Sequence, residues 1–177
     1  KRLRPLLSLL SYKVCTGGRE TPADYQRALE GTVSIELAHT ASLLHDDIMD
    51  EDEKRRGKPS LYTKKGIPHA ILKGHKMLST GFGIAINHGE KIGKLYVNTW
   101  DEVLTGQIKE VDFNTEENED ENEIELKGFT TKSKIYKLYK QIIDQKTAAL
   151  FASSCKAGAF EANANGQIAQ TLSDYGR

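Results

Sequence analysis

Apolar positions recur at helical intervals along most of this chain, and no stretch alternates as a strand does. Leu3 to Cys15 carries apolar residues three and four apart and halts at Gly17-Gly18, the pattern of a helix and its stop. Thr21-Pro22 then supplies a cap and a proline at the first helical position. Asp24 follows in the first turn, where negative charge is favoured. From there the spacing predicts one long helix to about Asp50, opposed in propensity by Gly31 alone, with Val33, Leu37, Leu44 and Ile48 as its core-facing set. Residues 51–66 are charged and carry Gly57, Pro59 and Gly66, so they read as a loop. Further helices are predicted over Pro68–Ile86, Lys91–Phe113, Thr131 to about Gly158, and roughly Gly166–Tyr175. A solvated acidic loop is expected at about 114–128. With no repeat and no strand pattern, the fold class is all-α, in one helical domain over 1–177.

Composition narrows the function. The chain has 177 residues, enough for one domain with a real core, and is 38% apolar and 28% charged, as soluble helical proteins are. Its 25 basic and 25 acidic residues cancel, so no global field recruits nucleic acid. Charge is nevertheless local: Lys1, Arg2, Arg4 and the segment Lys54–Lys58 are basic, and Glu116–Glu125 is acidic. Cys15 and Cys155 lack metal-ligand spacing and suggest no disulfide framework, so both are expected to be reduced, buried and structural in a cytoplasmic protein. No apolar run reaches membrane-spanning length and no signal peptide is visible, although the chain opens at Lys1 rather than methionine.

The candidate chemistry lies at the end of the long helix, in Asp46-Asp47-Ile48-Met49-Asp50. Asp46 and Asp50 are one turn apart, share a face, and can grip the same divalent cation. Ser42 precedes Asp46 by one turn, and His39 lies about two turns below it on nearly the same side. Aspartates at a helix C-terminus oppose the macrodipole by roughly 0.3–1 kcal/mol per charge, so a cation beside them makes better sense than bare solvent. Arg55-Arg56-Gly57 follows at once, and two arginines beside held cations suit a diphosphate. Taken singly, an acidic helix end or an arginine pair on a charged loop is more often just a solvated surface.

Together the segments resemble the trans-polyprenyl diphosphate synthases, the isoprenoid chain-elongation enzymes. Lys1-Arg2-Leu3-Arg4-Pro5 is similar to the family's N-terminal basic motif, without the glycines that normally precede it. Ile35–Pro59 resembles its first aspartate-rich region throughout. Gly106-Gln107 with Asp112 resembles a mid-helix motif, and Lys146-Thr147-Ala148-Ala149-Leu150-Phe151 its lysine-threonine motif. The resemblance implies a helical bundle of the isoprenoid synthase type, truncated at both ends relative to the family, acting as a homodimer. It implies that Asp46, Asp47 and Asp50 hold Mg²⁺, with Mn²⁺ a possible substitute. Arg55, Lys146 and Thr147 would hold the allylic prenyl diphosphate, and Lys1, Arg4, His39 and Arg56 the isopentenyl diphosphate. Asp46, Asp50, Arg55 and Lys146 would then be the catalytic set. Gln107 reads equally well as a helix-packing amide.

In such enzymes the growing tail runs along the helix that carries the first aspartates. Ala41 and Ser42, just beneath Asp46, are small, which implies a deep cavity and products of C20 or longer. There are departures too. Gly74-His75 stands where the family has Gly-Asp, and the chain stops at Tyr175-Gly176-Arg177, about where a second aspartate-rich motif is expected. The chain is therefore expected to be an incomplete record of a longer enzyme, with activity in isolation doubtful. A non-catalytic subunit that binds Mg-diphosphate is the alternative, ahead of a class I terpene cyclase, which has no need of a second diphosphate pocket.

Overall fold

The computed structural model describes residues 2–119 and 134–177. Lys1 and residues 120–128 of the expected acidic loop lie outside the described residues. Eight α-helices are described: α1 (Leu3–Thr16), α2 (Pro22–Met49), α3 (Leu61–Lys65), α4 (Ile67–Asn87), α5 (Glu90–Glu119), α6 (Lys134–Ile143), α7 (Ala149–Glu161) and α8 (Gly166–Gly176). A π-helical turn, Asp144–Ala148, joins α6 to α7. Two short strands, β1 (Lys54–Arg55) and β2 (Lys58–Pro59), pair antiparallel between α2 and α3.

The helix limits follow from local chemistry. Gly17 ends α1 in a left-handed conformation, φ 60°, with its amide donating to the Lys13 carbonyl. A capping box starts α2: the Thr21 hydroxyl accepts from the Asp24 amide, and the Asp24 carboxylate accepts from the Thr21 amide. Pro22 sits in the first turn, where its missing N–H costs nothing. Three expectations need correction. Residues 51–66 form a tight hairpin and a one-turn helix rather than an irregular loop. The backbone of α5 continues to Glu119, into the stretch expected as acidic loop, in keeping with the helix propensity of glutamate. The helical run around the lysine-threonine motif is interrupted by the π turn and ends at Glu161, not Gly158.

α7 lies at the centre, packed on α1, α2, α5 and α8, and α2 packs in turn on α1 and α4. Nine of the thirteen positions of α7 are buried, and all of these but Leu150 and Cys155 are Ala, Ser or Gly. The buried hydroxyls of Ser153 and Ser154 donate to the Leu150 carbonyl, and Ser34 donates to the Gly31 carbonyl, so none is left unpaired. The buried face of α2 is likewise small: Ala28, Gly31, Thr32, Ser34, Ile35, Ala38 and Ala41. Val33, expected in the core, is instead 44% exposed, and Leu37, Leu44 and Ile48 are half-buried. Close approach of backbones decides which face is inside. Cys155 is buried, Cys15 is half-buried, and both thiols are free. Among the described residues no helix is long and apolar enough to cross a membrane.

Gly158 shows how tight this packing is. A Cβ there would stand 2.0 Å from the Ser8 carbonyl oxygen of α1. Gly158→Ala is therefore expected to destabilise the fold by about 1–3 kcal/mol, because backbone must move. Gly83→Ala on α4, where an added Cβ meets nothing within 4 Å, should stabilise by about 0.5–1 kcal/mol. Paired urea denaturation curves check both signs.

Candidate active site

The last two turns of α2 present Ser42, His45 and Asp46 to one cleft, and Asp47 lies outside its lining. The carboxylate of Asp46 is largely buried and faces Lys146 Nζ at 4.0 Å. Burial lifts its pKa above the usual aspartate range, the charge of Asp50 adds to the rise, and Lys146 opposes it. Asp50 is exposed at the helix C-cap. Asp47 is buried and ion-paired with Arg55 Nε, while Arg55 Nη2 stands 3.9 Å from Asp52. The acidic end is thus divided: Asp46 lines the cleft, Asp47 anchors the hairpin, and Asp50 stands exposed at the cap.

That hairpin places the arginines. Its two-residue turn is Arg56-Gly57, with φ 54° and 76°, the double left-handed geometry whose twist matches paired strands. Holding a non-glycine residue there costs roughly 1–2 kcal/mol, so the position of Arg56 is bought with strain. The turn is tied down by the Asp52 amide donating to the Asp47 carbonyl and the Ser60 amide to the Glu53 carbonyl, 2.9 and 2.8 Å.

Lys146 arrives from the opposite wall on the π turn. One extra residue per turn rotates Gln145 and Lys146 toward α5, and such bulges recur at functional sites. Gly106 permits the approach, because a Cβ there would lie 2.8 Å from both the Lys146 amide nitrogen and Gln145 Cβ. Lys109 Nζ donates to Gln145 Oε1 at 2.9 Å across the same seam. Lys146 pairs with Glu110, whose carboxylate also accepts from Gln107 Nε2 at 3.1 Å. Thr147 is exposed next to it, and Asp112 lines the cleft. Glu110 had no place in the sequence reading. Its one signal was a position three residues beyond Gln107, on the same helical face.

A second, basic group lies on the α1 side. Arg4 Nη1 donates to His39 Nε2 at 2.8 Å, and the Arg4 guanidinium sits 4.5 Å from the centre of the Phe151 ring. Because arginine can only donate, the imidazole accepts at Nε2, and its proton is on Nδ1. Burial, then the charge of Arg4 and more weakly that of Arg56, hold the His39 pKa below its ordinary value; Glu36 opposes them. Arg4 Nε and His39 Nδ1 are buried with no hydrogen-bond partner among the described residues; the Glu36 carboxylate stands 3.6 Å from Nδ1. Two buried N–H donors without acceptors fit an anionic ligand.

From Asp46 a cleft of about 410 Å³ runs between α2, α4 and α5. Its wall is mostly apolar, from Ile48, Ile71, Trp100, Val103 and Ile108, with Ser42, His45 and His75 among the polar exceptions. Such a cavity, apolar with a few polar groups at one end, is the usual form of a small-molecule site. Ser42 lines it, its hydroxyl donating to the His39 carbonyl at 2.9 Å. Ala41 is fully buried and lies outside the lining. His75 stands edge-on to His45, 5.4 Å between ring centres.

The polyprenyl synthetase family model matches residues 1–177. The chain belongs to the polyprenyl synthetase family. It is 37% identical over 182 residues to the short chain isoprenyl diphosphate synthase of Methanothermobacter thermautotrophicus, covering all of this chain and 50% of that protein. Among solved structures, a geranylgeranyl pyrophosphate synthase superposes with TM-score 0.81 at 28% identity, over 99% of this chain and 48% of that one. A polyprenyl synthase from Caulobacter crescentus, solved with calcium and isoprenyl diphosphate, does so with TM-score 0.79 at 26% identity, over 99% and 48%. The all-α isoprenoid synthase fold expected from the sequence is thereby shown. This polyprenyl synthetase chain spans about half the length of the relatives it matches.

Two outcomes test the geometry. Arg55→Ala strands the buried Asp47 carboxylate and should cost about 1–3 kcal/mol of stability, most of it recovered by adding Asp47→Asn. Denaturation of the two single variants and the double variant measures the coupling. Because the His39 pKa is lower in the folded chain, the unfolded chain takes up its proton first as pH falls. Stability is therefore intact above about pH 6.5 and declines below it, and His39→Asn should flatten that slope in thermal melts.

Proposed function

We propose that this chain carries the diphosphate-binding machinery of a prenyltransferase. The enzyme joins an allylic prenyl diphosphate to isopentenyl diphosphate, giving a longer trans-polyprenyl diphosphate and pyrophosphate. The observation that carries the reading is a pair of groups: half-buried Asp46, with Lys146 4.0 Å away, at the head of an apolar cleft, and His39, seven residues earlier on the same helix, with Arg4, whose N–H donors lack partners among the described residues. One charge pattern fits a cation-bound diphosphate with a tail, the other a second diphosphate.

The residues also fit the metal that the family implies. Asp46 and Asp50 lie one helical turn apart, and burial raises the Asp46 pKa, a cost that a cation beside it would offset. No group of three or more His, Cys, Asp or Glu forms a protein-only cage among the described residues. That suits Mg²⁺, which takes one or two carboxylates and fills its shell with water and phosphate oxygens. When bound, Mg²⁺ would neutralise the leaving pyrophosphate. Asp47 reaches such an ion only through the helix it shares with Asp46, its own carboxylate being spent on Arg55.

The chain's own groups divide the rest of the work. Lys146, with Thr147 beside it, and Arg55 hold the allylic diphosphate as its C–O bond breaks, and Arg4, His39 and Arg56 hold the isopentenyl diphosphate. Lys1, outside the described residues, joins that second set by resemblance alone. The apolar wall keeps water from the allylic cation, so that the double bond of isopentenyl diphosphate attacks it and a proton then leaves. Small Ser42 in the wall supports products of C20 or longer, as does the relative named for geranylgeranyl pyrophosphate. Exposed apolar residues on α4 and α5, including Leu72, Phe82, Ile86 and Val97, support a homodimer, and the two free thiols a cytoplasmic setting.

The alternative reading, a non-catalytic subunit that binds Mg-diphosphate, uses the same site without turnover. Calorimetry with farnesyl diphosphate, with and without Mg²⁺, tests both. Binding should require Mg²⁺ and weaken at least about tenfold (about 1.4 kcal/mol) in Asp46→Asn. A longer prenyl product on adding isopentenyl diphosphate supports transfer, and binding without turnover supports the subunit. Equal binding without Mg²⁺ contradicts both.

A further inference from the structure

A second cavity, of about 470 Å³, opens at the other end of α2, where its first turns meet the C-terminal ends of α1 and α7. Arg27, in its wall, lies roughly 30 Å from Asp46 at about 1.5 Å of helix per residue, so this cavity is separate from the cleft. Two of its lining side chains are almost wholly withdrawn from solvent: Tyr12 is 2% exposed and the Glu161 side chain 5%. Both have unmet capacity. The Tyr12 hydroxyl has no hydrogen-bond partner among the described residues. Glu161 Oε1 accepts from His88 Nδ1 at 2.6 Å, and no other described residue donates to that carboxylate, which can accept several times. It is held in place, since a Cβ on Gly31 would come within 2.2 Å of Oε1. Burial, then the charges of Asp24, Glu20 and Glu161, push the Tyr12 phenol above its ordinary pKa, with Lys13 opposing, so the hydroxyl keeps its proton in a negative field. The same cavity carries two cations with little to hold them. Arg19 Nε reaches the Thr16 carbonyl and Arg27 Nη2 the Asn87 carbonyl, each at 3.4 Å, and neither guanidinium has a carboxylate within 4.0 Å among the described residues. Glu20 is engaged by Lys13 and Thr16, and Asp24 by the capping box.

We propose that this cavity binds a small zwitterion, its ammonium on Tyr12 and Glu161 and its oxyanion on Arg19 and Arg27. An ammonium donates three times and accepts nothing, which matches a phenol oxygen and a carboxylate, and the arginine fork matches a carboxylate or a phosphate. A simple anion would leave the Glu161 carboxylate unmatched beside it, and a simple cation would leave both guanidiniums without an acceptor. The shared chemistry, an ammonium tethered to an oxyanion, has two sources: a free amino acid and an aminoalkyl phosphate. The inference is independent of the prenyl diphosphate reading, because the two cavities have no lining residue in common.

Glycine, β-alanine, γ-aminobutyrate, ε-aminocaproate and phosphoethanolamine, titrated into the full chain at millimolar concentrations and followed by amide-resolved NMR, test this. Acetate, inorganic phosphate and methylammonium are the single-charge controls. At least one zwitterion should saturate the signals of Gly17 and Gly18, between the lining residues Thr16 and Arg19, and of Ala162, with an affinity about tenfold or more above every control. Among the amino acids affinity should peak at one chain length, because two fixed poles accept one spacing. Tightest binding by phosphoethanolamine assigns the oxyanion to phosphate, and by an amino acid to carboxylate. Tyr12→Phe, which removes one oxygen, and Arg27→Gln, at an exposed position, should each weaken the best ligand about tenfold. The response of Asp46 to Mg²⁺ with pyrophosphate should be the same in both variants as in the native chain. Controls that bind as tightly as the zwitterions, no saturable shift with any zwitterion, or undiminished binding in both variants overturns the proposal and leaves the proposed function intact.

Discussion

Two like charges at the wrong end of a helix dipole are the constraint around which this molecule is arranged. Asp46 and Asp50 repel each other, oppose the partial negative charge at the C-terminus of α2, and Asp46 is also withdrawn from water. Isolated, such an arrangement would relax by fraying the helix or by protonation. Here the surroundings hold it. Asp47, between the two, turns the other way and clamps Arg55 of the hairpin, fixing the helix end while leaving its neighbours free. Lys146 is delivered from across the cleft, yet it is shared with Glu110 and only grazes Asp46, so the acidic pair stays short of positive charge. That residual deficit is what a hard dication with its phosphate ligands would fill.

The scaffold can hold this because its helices approach through small side chains. Gly158 against Ser8, Gly106 against the π turn, and Gly31 beneath the buried His88–Glu161 pair are each sites where backbone or a charged group occupies the space of a Cβ. Alanine, serine and glycine fill most of the buried positions of α7, and the serine hydroxyls, bonded within the helix, add no unpaired polar atoms. Close-packed interiors transmit displacement, so a one-carbon change at Gly106 would be felt at Lys146. The cleft and the rigid bundle are one design: bulk is excluded from the helix contacts and concentrated in Trp100 and its neighbours along the groove.

How much of this could be read from sequence depends on how local its cause is. The ends of α1 and α2 were legible, since Gly17, Thr21-Pro22 and Asp24 act on their own neighbours. The shared face of Asp46 and Asp50 was equally legible, being a matter of helical spacing. The hairpin was not, because two residues per strand cannot show alternation, and Arg56-Gly57 is not the Asn-Gly pair that announces such turns. Nor was the π turn, whose single extra residue leaves the apolar period on either side looking like ordinary helix. Val33 misled because hydrophobicity was taken to decide which face is buried, whereas in a bundle packed through glycine and alanine the small face goes inside. The acidic stretch misled differently: its charge argued for solvent, which is compatible with helix as far as Glu119. Contacts between distant elements, Glu110 with Lys146 and Arg4 with His39, needed the fold itself.

Substituting Mn²⁺ as a paramagnetic stand-in for Mg²⁺ gives the most direct view of whether the end of α2 is where the cation goes. In an amide-resolved NMR spectrum with pyrophosphate present, signals from residues around Asp46, Asp50, Glu110 and Lys146 should broaden first, and those of Ala28 and Asn163, at the other end of the bundle, should persist. Sharp signals at Asp46 and Asp50 while others broaden would contradict the account.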